Sequence, residues 1–114
     1  MKREIRRSAQ ARQDLIEIYR YLYPRSPQAA DRVFDAIAQT IRSLLDTPGI
    51  GTRWNSPDPR LEGMRVVPAR RYRNYLIFFR AVPTGIEVFR IVQGMRELQR
   101  LVDEIELDFE DEAP

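Results

Sequence analysis

The amino-acid sequence predicts an α+β domain. A two-helix hairpin packs on a small, mainly antiparallel twisted sheet, in the order β-α-α-β-β-β with a short helix to follow. Three observations carry this. Apolar residues recur at the helical period from Ala11 to Leu22 and again from Ala30 to Leu45. Beyond a loop, the runs 63–68, 72–81 and 86–93 are instead rich in Val, Ile, Tyr and Phe. The loop between, residues 46–60, holds three prolines and two glycines, which break both kinds of element.

Each element has a local reason. Residues 2–7 are mostly charged with one apolar Ile5, a pattern suited to an edge strand guarded against stray pairing. Ser8 reads as an N-cap, and Ala11, Leu15, Ile18, Tyr19 and Leu22 form the stripe of a first helix that Pro24 stops. Ser26-Pro27 restarts the chain as a cap with proline at the first helical position. Val33, Phe34, Ile37, Ile41 and Leu44 continue the second stripe until Pro48-Gly49. A short turn between two helices sets them antiparallel. Pro83-Thr84-Gly85 separates the last two strands of a three-strand meander. The run from Tyr75 to Phe79 is apolar at successive positions, so that strand is central and covered on both faces, by its own domain or in part by a partner. Leu98, Leu101, Val102 and Ile105 suggest a last helix over 95–105. The chain divides into one domain, residues 1–102, and an acidic tail, residues 103–114.

Charge is distributed unevenly along the 114 residues. Residues 1–102 carry 19 basic and 10 acidic side chains, a net of +9, while the tail holds the other seven acids. Eighteen of the 19 cations are Arg, whose planar fork suits phosphate and carboxylate, although a GC-rich genome also favours Arg codons. Such a split points to an anionic partner. The sequence has no Cys and no His, which removes disulfides, thiol nucleophiles, Cys/His zinc sites and imidazole chemistry. No cofactor or metal is expected. The polar N-terminus lacks the apolar core of a signal peptide and no apolar run approaches membrane-spanning length, so the expected location is the cytoplasm.

Four stretches, in order, resemble the RelE/ParE superfamily of toxins from bacterial type II toxin–antitoxin pairs. They are Ala11-x-x-Asp14-Leu15-x-x-Ile18-x-x-Tyr21, then Ser26-Pro27 with the helix ending in Leu44-Leu45-Asp46-Thr47-Pro48-x-x-Gly51, then residues 71–80, then residues 86–97. The resemblance covers residues 2–102 and implies a small toxin neutralised by a cognate antitoxin whose acidic segment folds on it. RelE-like members cut mRNA on the ribosome, whereas ParE-like members poison DNA gyrase by binding.

RNA cleavage requires groups to take and give a proton beside cations for the phosphate. For a nuclease the set would be Arg65, Arg80 and Arg96 with Glu97, and Glu62 and Glu87 as further acids. Where many relatives place His before the closing glycine this chain has Gln93. Relatives without His resemble one another in using Lys, Arg and a C-terminal Tyr. Here the single Lys is Lys2, no Tyr follows Tyr75, and Phe109 lacks the hydroxyl. The ParE-like branch is therefore favoured, with Arg70, Arg71, Arg73, Arg90 and Arg96 as target-binding candidates and direct nucleic-acid contact the less favoured alternative. A remnant that only binds antitoxin is a third reading.

Antitoxin-contact candidates are Trp54, Tyr75, Ile77 and Phe79. Each has a plainer role as well: Trp54 can pack its loop on the body, the aromatic strand can be core, and the 70–73 run can be a solvated turn. Asp14 is either a first-turn acid favoured by the helix dipole or a partner for an Arg. In the tail, apolar and acidic residues alternate from Ile105 to Glu110, and residues 107–112 are expected to fold back on the basic surface and compete with the partner.

Overall fold

A computed structural model describes residues 3–102, so the expectations for the acidic tail and for a last helix beyond residue 102 lie outside the described residues. The elements run β1 (Glu4–Arg7), α1 (Ala9–Leu22), α2 (Pro27–Ser43), β2 (Thr52–Arg53), β3 (Met64–Pro68), β4 (Tyr75–Val82), β5 (Gly85–Gln93) and α3 (Met95–Val102). The five strands form one sheet in the order β1-β5-β4-β3-β2, with β1 parallel to β5 and the other pairs antiparallel. None of the described helices is long and apolar enough to cross a membrane.

Both helix starts follow their caps. The Ser8 hydroxyl accepts from the Ala11 N–H at 3.0 Å, and the Ser26 hydroxyl accepts from the Ala29 N–H at 3.1 Å. The second helix ends at Ser43, five residues before Pro48, because Leu44 to Asp46 tighten into a terminal turn. Strand β4 starts at Tyr75 rather than at residue 72. The Tyr75 N–H bonds the Tyr72 carbonyl and Arg71 has φ +69°, so residues 70–74 form the turn into the strand. The breaker-rich loop contains two elements that its composition did not suggest: the short β2, paired with Arg65 and Val66, and a 3-10 turn at Pro59–Leu61.

The sheet has a packed layer on each face. On one, Val33, Ile37 and Ile41 of α2 and Ala11 of α1 meet Ile77 and Phe79 of β4 and Val88 of β5. On the other, Leu98 and Val102 of α3 cover Phe78, Leu76 and Phe89. The two-sided strand is thus covered by its own chain. A β-bulge sets the phase: pairing passes from Phe78↔Arg90 to Phe79↔Val88, leaving Phe89 as the extra residue of β5. Val88 and Ile91 then both face the helical layer while Phe89 and Val92 face α3.

Candidate functional site

Strand β1 ends at Arg7, but β5 runs on, and its open edge is closed by side chains of α1. The Ser8 N–H bonds the Val88 carbonyl at 2.9 Å and its hydroxyl donates to the Phe89 carbonyl at 2.7 Å. Six residues further, the Asp14 carboxylate accepts the Ile91 N–H at 2.9 Å and grips the Arg90 guanidinium through Nε and Nη2, each at 2.9 Å. Burial pushes the Asp14 carboxyl above its ordinary value of 3.8, although the Arg90 pair and the Ile91 N–H pull the other way. Asp14 is therefore the partner of an Arg, and lies past the first helical turn. Arg90, with its side chain 13% exposed, is held in the fold rather than presented to a target, which corrects its place among the target-binding candidates.

The nuclease set is not brought together. Arg65 pairs in register with Phe79, which faces the helices, and its guanidinium donates to the Gly51 carbonyl at 3.2 Å. Arg80 alternates with Phe79 and leaves the sheet on the α3 side, over the Phe89 ring. There it bonds Glu87 at 3.0 Å and the Arg60 carbonyl at 3.3 Å, and Arg6 adds a second cation to Glu87 at 3.6 Å. Arg96 and Glu97 sit in the first turn of α3, where Arg100 bonds Glu97 at 2.6 Å and holds its carboxyl below the usual value. Arg65 therefore lies across the sheet from Arg80, and Glu97 is already paired with Arg100.

Three of the antitoxin-contact candidates are corrected in the same way. Ile77 and Phe79 are fully buried beneath the helices and Tyr75 is 7% exposed, so they form core, and burial pushes the Tyr75 hydroxyl up. Trp54 packs edge-on against Phe78 with ring centroids 5.3 Å apart, and its backbone N–H donates to the Met64 carbonyl, so it fastens the loop to the body. Arg70, Arg71, Arg73 and Arg96 remain exposed, and none of their side chains has a hydrogen-bond or ion-pair partner among the described residues.

Part of the two apolar stripes, Leu15, Tyr19 and Phe34, borders an open surface together with Ile16, which belongs to neither stripe. Leu15, Ile16 and Tyr19 of α1 and Phe34 of α2 line a mainly apolar groove of about 510 Å³ between the two helices, with Arg20 and Asp31 at its rim. Ile16 is 45% and Phe34 42% exposed. The Tyr19 hydroxyl donates to Asp31 at 2.7 Å and its ring meets Phe34 edge-on, so the wall of the groove is preformed. The signal was present: Ile16 falls outside the stripe of Ala11, Leu15, Ile18, Tyr19 and Leu22, and Phe34 lies at the margin of a stripe that Val33, Ile37 and Ile41 already satisfy.

A family model for the ParE toxin of type II toxin–antitoxin systems, parDE, matches residues 5–98. Among solved structures, the chain is similar to a chromosomal ParDE TA system from P. aeruginosa, with a TM-score of 0.66 at 21% identity, over 81% of this chain and 96% of that one. No curated protein matches it in sequence.

Proposed function

The chain belongs to the ParE toxin family of type II toxin–antitoxin systems, and from that premise we propose that it inhibits DNA gyrase by binding and is neutralised by a cognate, largely acidic antitoxin. The observation that supports a binding mode over a catalytic one is that Arg65 lies across the sheet from Arg80 and that Glu97 is paired with Arg100, in a chain without His. Free arginines are available for a target at the 70–73 turn and at Arg96. Purified toxin is expected to abolish gyrase supercoiling at micromolar concentration and to leave cleaved DNA. No effect at a tenfold excess over gyrase, or cleavage of mRNA on translating ribosomes instead, overturns this reading.

The antitoxin belongs on the α1–α2 groove. An exposed apolar trough with charges at its rim suits the apolar face of a segment that folds as it binds. Ile16→Glu with Phe34→Glu places two charges there and is expected to weaken antitoxin binding by at least about 30-fold, since buried apolar anchors carry about 2 kcal/mol or more at such interfaces. Calorimetric titration of the refolded pair measures this. An unchanged affinity removes the groove from the interface while leaving the gyrase reading intact.

A further inference from the structure

A second groove runs along the other flank of α2, and arginines line its length. Arg32, Asp35, Ala36, Gln39, Thr40 and Ser43 follow one another at helical spacing and form its helical wall. The opposite wall is the 70–73 turn. Arg70 and Arg71 close a cleft of about 400 Å³ against Arg32 and Gln39. Arg70 and Arg73 line an adjoining cleft of about 330 Å³ against Thr40 and Ser43. Since both clefts share α2 and Arg70, they read as one trough, and from Arg32 to Ser43 it extends roughly 16 Å at 1.5 Å per residue.

The turn is built to hold its cations in place. Thr40, itself buried, accepts the Arg70 N–H at 3.0 Å and donates to the Ala36 carbonyl at 2.7 Å. On the other side, the Ala69 N–H bonds the Tyr75 carbonyl at 2.9 Å. Arg71 keeps φ +69°, a conformation that an Arg side chain adopts only under constraint and that turns it outward beside Arg70. Four exposed arginines without partners among the described residues thus face one carboxylate, Asp35.

The geometry points to a nucleic-acid strand as the occupant of this trough, held through its phosphodiester backbone and without regard to sequence. The guanidinium fork matches phosphate oxygens two at a time, and Gln39 adds a neutral donor along the path. At about 3.4 Å per stacked nucleotide the trough takes four or five of them. An acidic peptide fits less well. Such a segment needs apolar anchors along its length, and the trough gathers Ile50, Val67 and Pro68 at one end, whereas the continuous apolar groove lies around the helix.

The proposal does not need gyrase, so the two readings fail separately. Its test is fluorescence anisotropy of a labelled twelve-nucleotide thymidine strand titrated with the purified full chain between about 50 and 200 mM salt. Four phosphate contacts predict a slope of log affinity against log salt near −3, or roughly 50-fold weakening over that range. Arg70→Gln with Arg71→Gln and Arg73→Gln should lower affinity at least about 30-fold at the lowest salt and flatten the slope to about −0.7. Arg32→Gln, which leaves the turn untouched, should flatten it by about 0.7 and carries the test if the triple variant does not fold. Three results overturn the proposal: no binding at about 10 μM protein, slopes unchanged in both variants, or displacement of the strand by oligoglutamate of equal charge as readily as by unlabelled strand.

Discussion

Asp14→Ala is expected to destabilise the fold by about 3–5 kcal/mol, the usual result of removing one partner from a buried ion pair. The loss does not arise because the pair is strongly attractive. Burial raises the Asp14 carboxyl, so desolvation outweighs the pull of Arg90 and the Ile91 N–H on the charged form. It arises because the truncated protein must leave the Arg90 guanidinium, 13% exposed, and the Ile91 N–H at an open sheet edge with nothing to accept them. At about 4–8 °C per kcal/mol for a domain near this size, thermal melting should fall by at least ~12 °C. The sign with pH follows from the raised carboxyl. Between its ordinary value of 3.8 and its raised value, the folded protein binds the proton that the unfolded chain has released. Asp14's contribution is therefore fullest below 3.8 and declines as pH rises through the raised value. The gap between wild type and variant should be wider at about pH 4 than at about pH 7. A loss under about 1 kcal/mol by urea unfolding would mean that water substitutes for the carboxylate.

Gly85→Ala carries the second large effect, about 2–4 kcal/mol, because it meets strain and collision together. Gly85 opens β5 at φ +146°, and a Cβ there would lie 1.9 Å from the Glu4 carbonyl oxygen and 2.7 Å from its nitrogen. The obstacle is the backbone of β1, paired with β5 in the register Glu4↔Gly85, and a backbone cannot swing aside as a flexible side chain can. The strand must be displaced as a unit. Gly94→Ala supplies the comparison for strain alone, since φ is +88° there with open space around it, and Gly49→Ala has neither feature. The expected order of loss is Gly85, then Gly94, then Gly49, the last within about 0.5 kcal/mol of wild type. Loss of amide protection confined to β1 in the Gly85 variant would locate the damage, and equal losses at Gly85 and Gly94 would exclude the collision.

The reach of sequence reasoning in this fold followed the range of the interactions involved. Ser8 and Ser26 act within one turn of themselves, so both helix starts were legible from neighbouring residues. The apolar strand from Tyr75 to Phe79 announced cover on both faces, but not its source. That Leu98 and Trp54 of the same chain supply the second cover depends on where α3 and the long loop fold. It was this ambiguity that offered Ile77 and Phe79 to a partner. Arg90 was misplaced for a related reason. Its reach to Asp14 depends on the extra residue Phe89 and on β1 stopping at Arg7, and neither a bulge nor a strand length is written in residue spacing. Phe34 was missed because a stripe one residue too wide resembles a generous core, and Ile16 because a single apolar residue off the stripe is common on a helix surface.

The parallel pairing of β1 with β5 also governs when the toxin comes into being. Glu4 meets Gly85 across some eighty residues of chain, whereas β4 and β5 join through a tight turn. Local contacts form early and distant ones wait on the closure of a long loop. On the ribosome, the first strand must therefore stand unpaired while the helices, the loop and three further strands are made. Neither Ser8 nor Asp14 can find its place until residues 88–91 have emerged. Synthesis from the N-terminus thus withholds the finished sheet, and with it the native toxin, until most of the domain has been translated. An antitoxin that recognises the completed fold meets it only then.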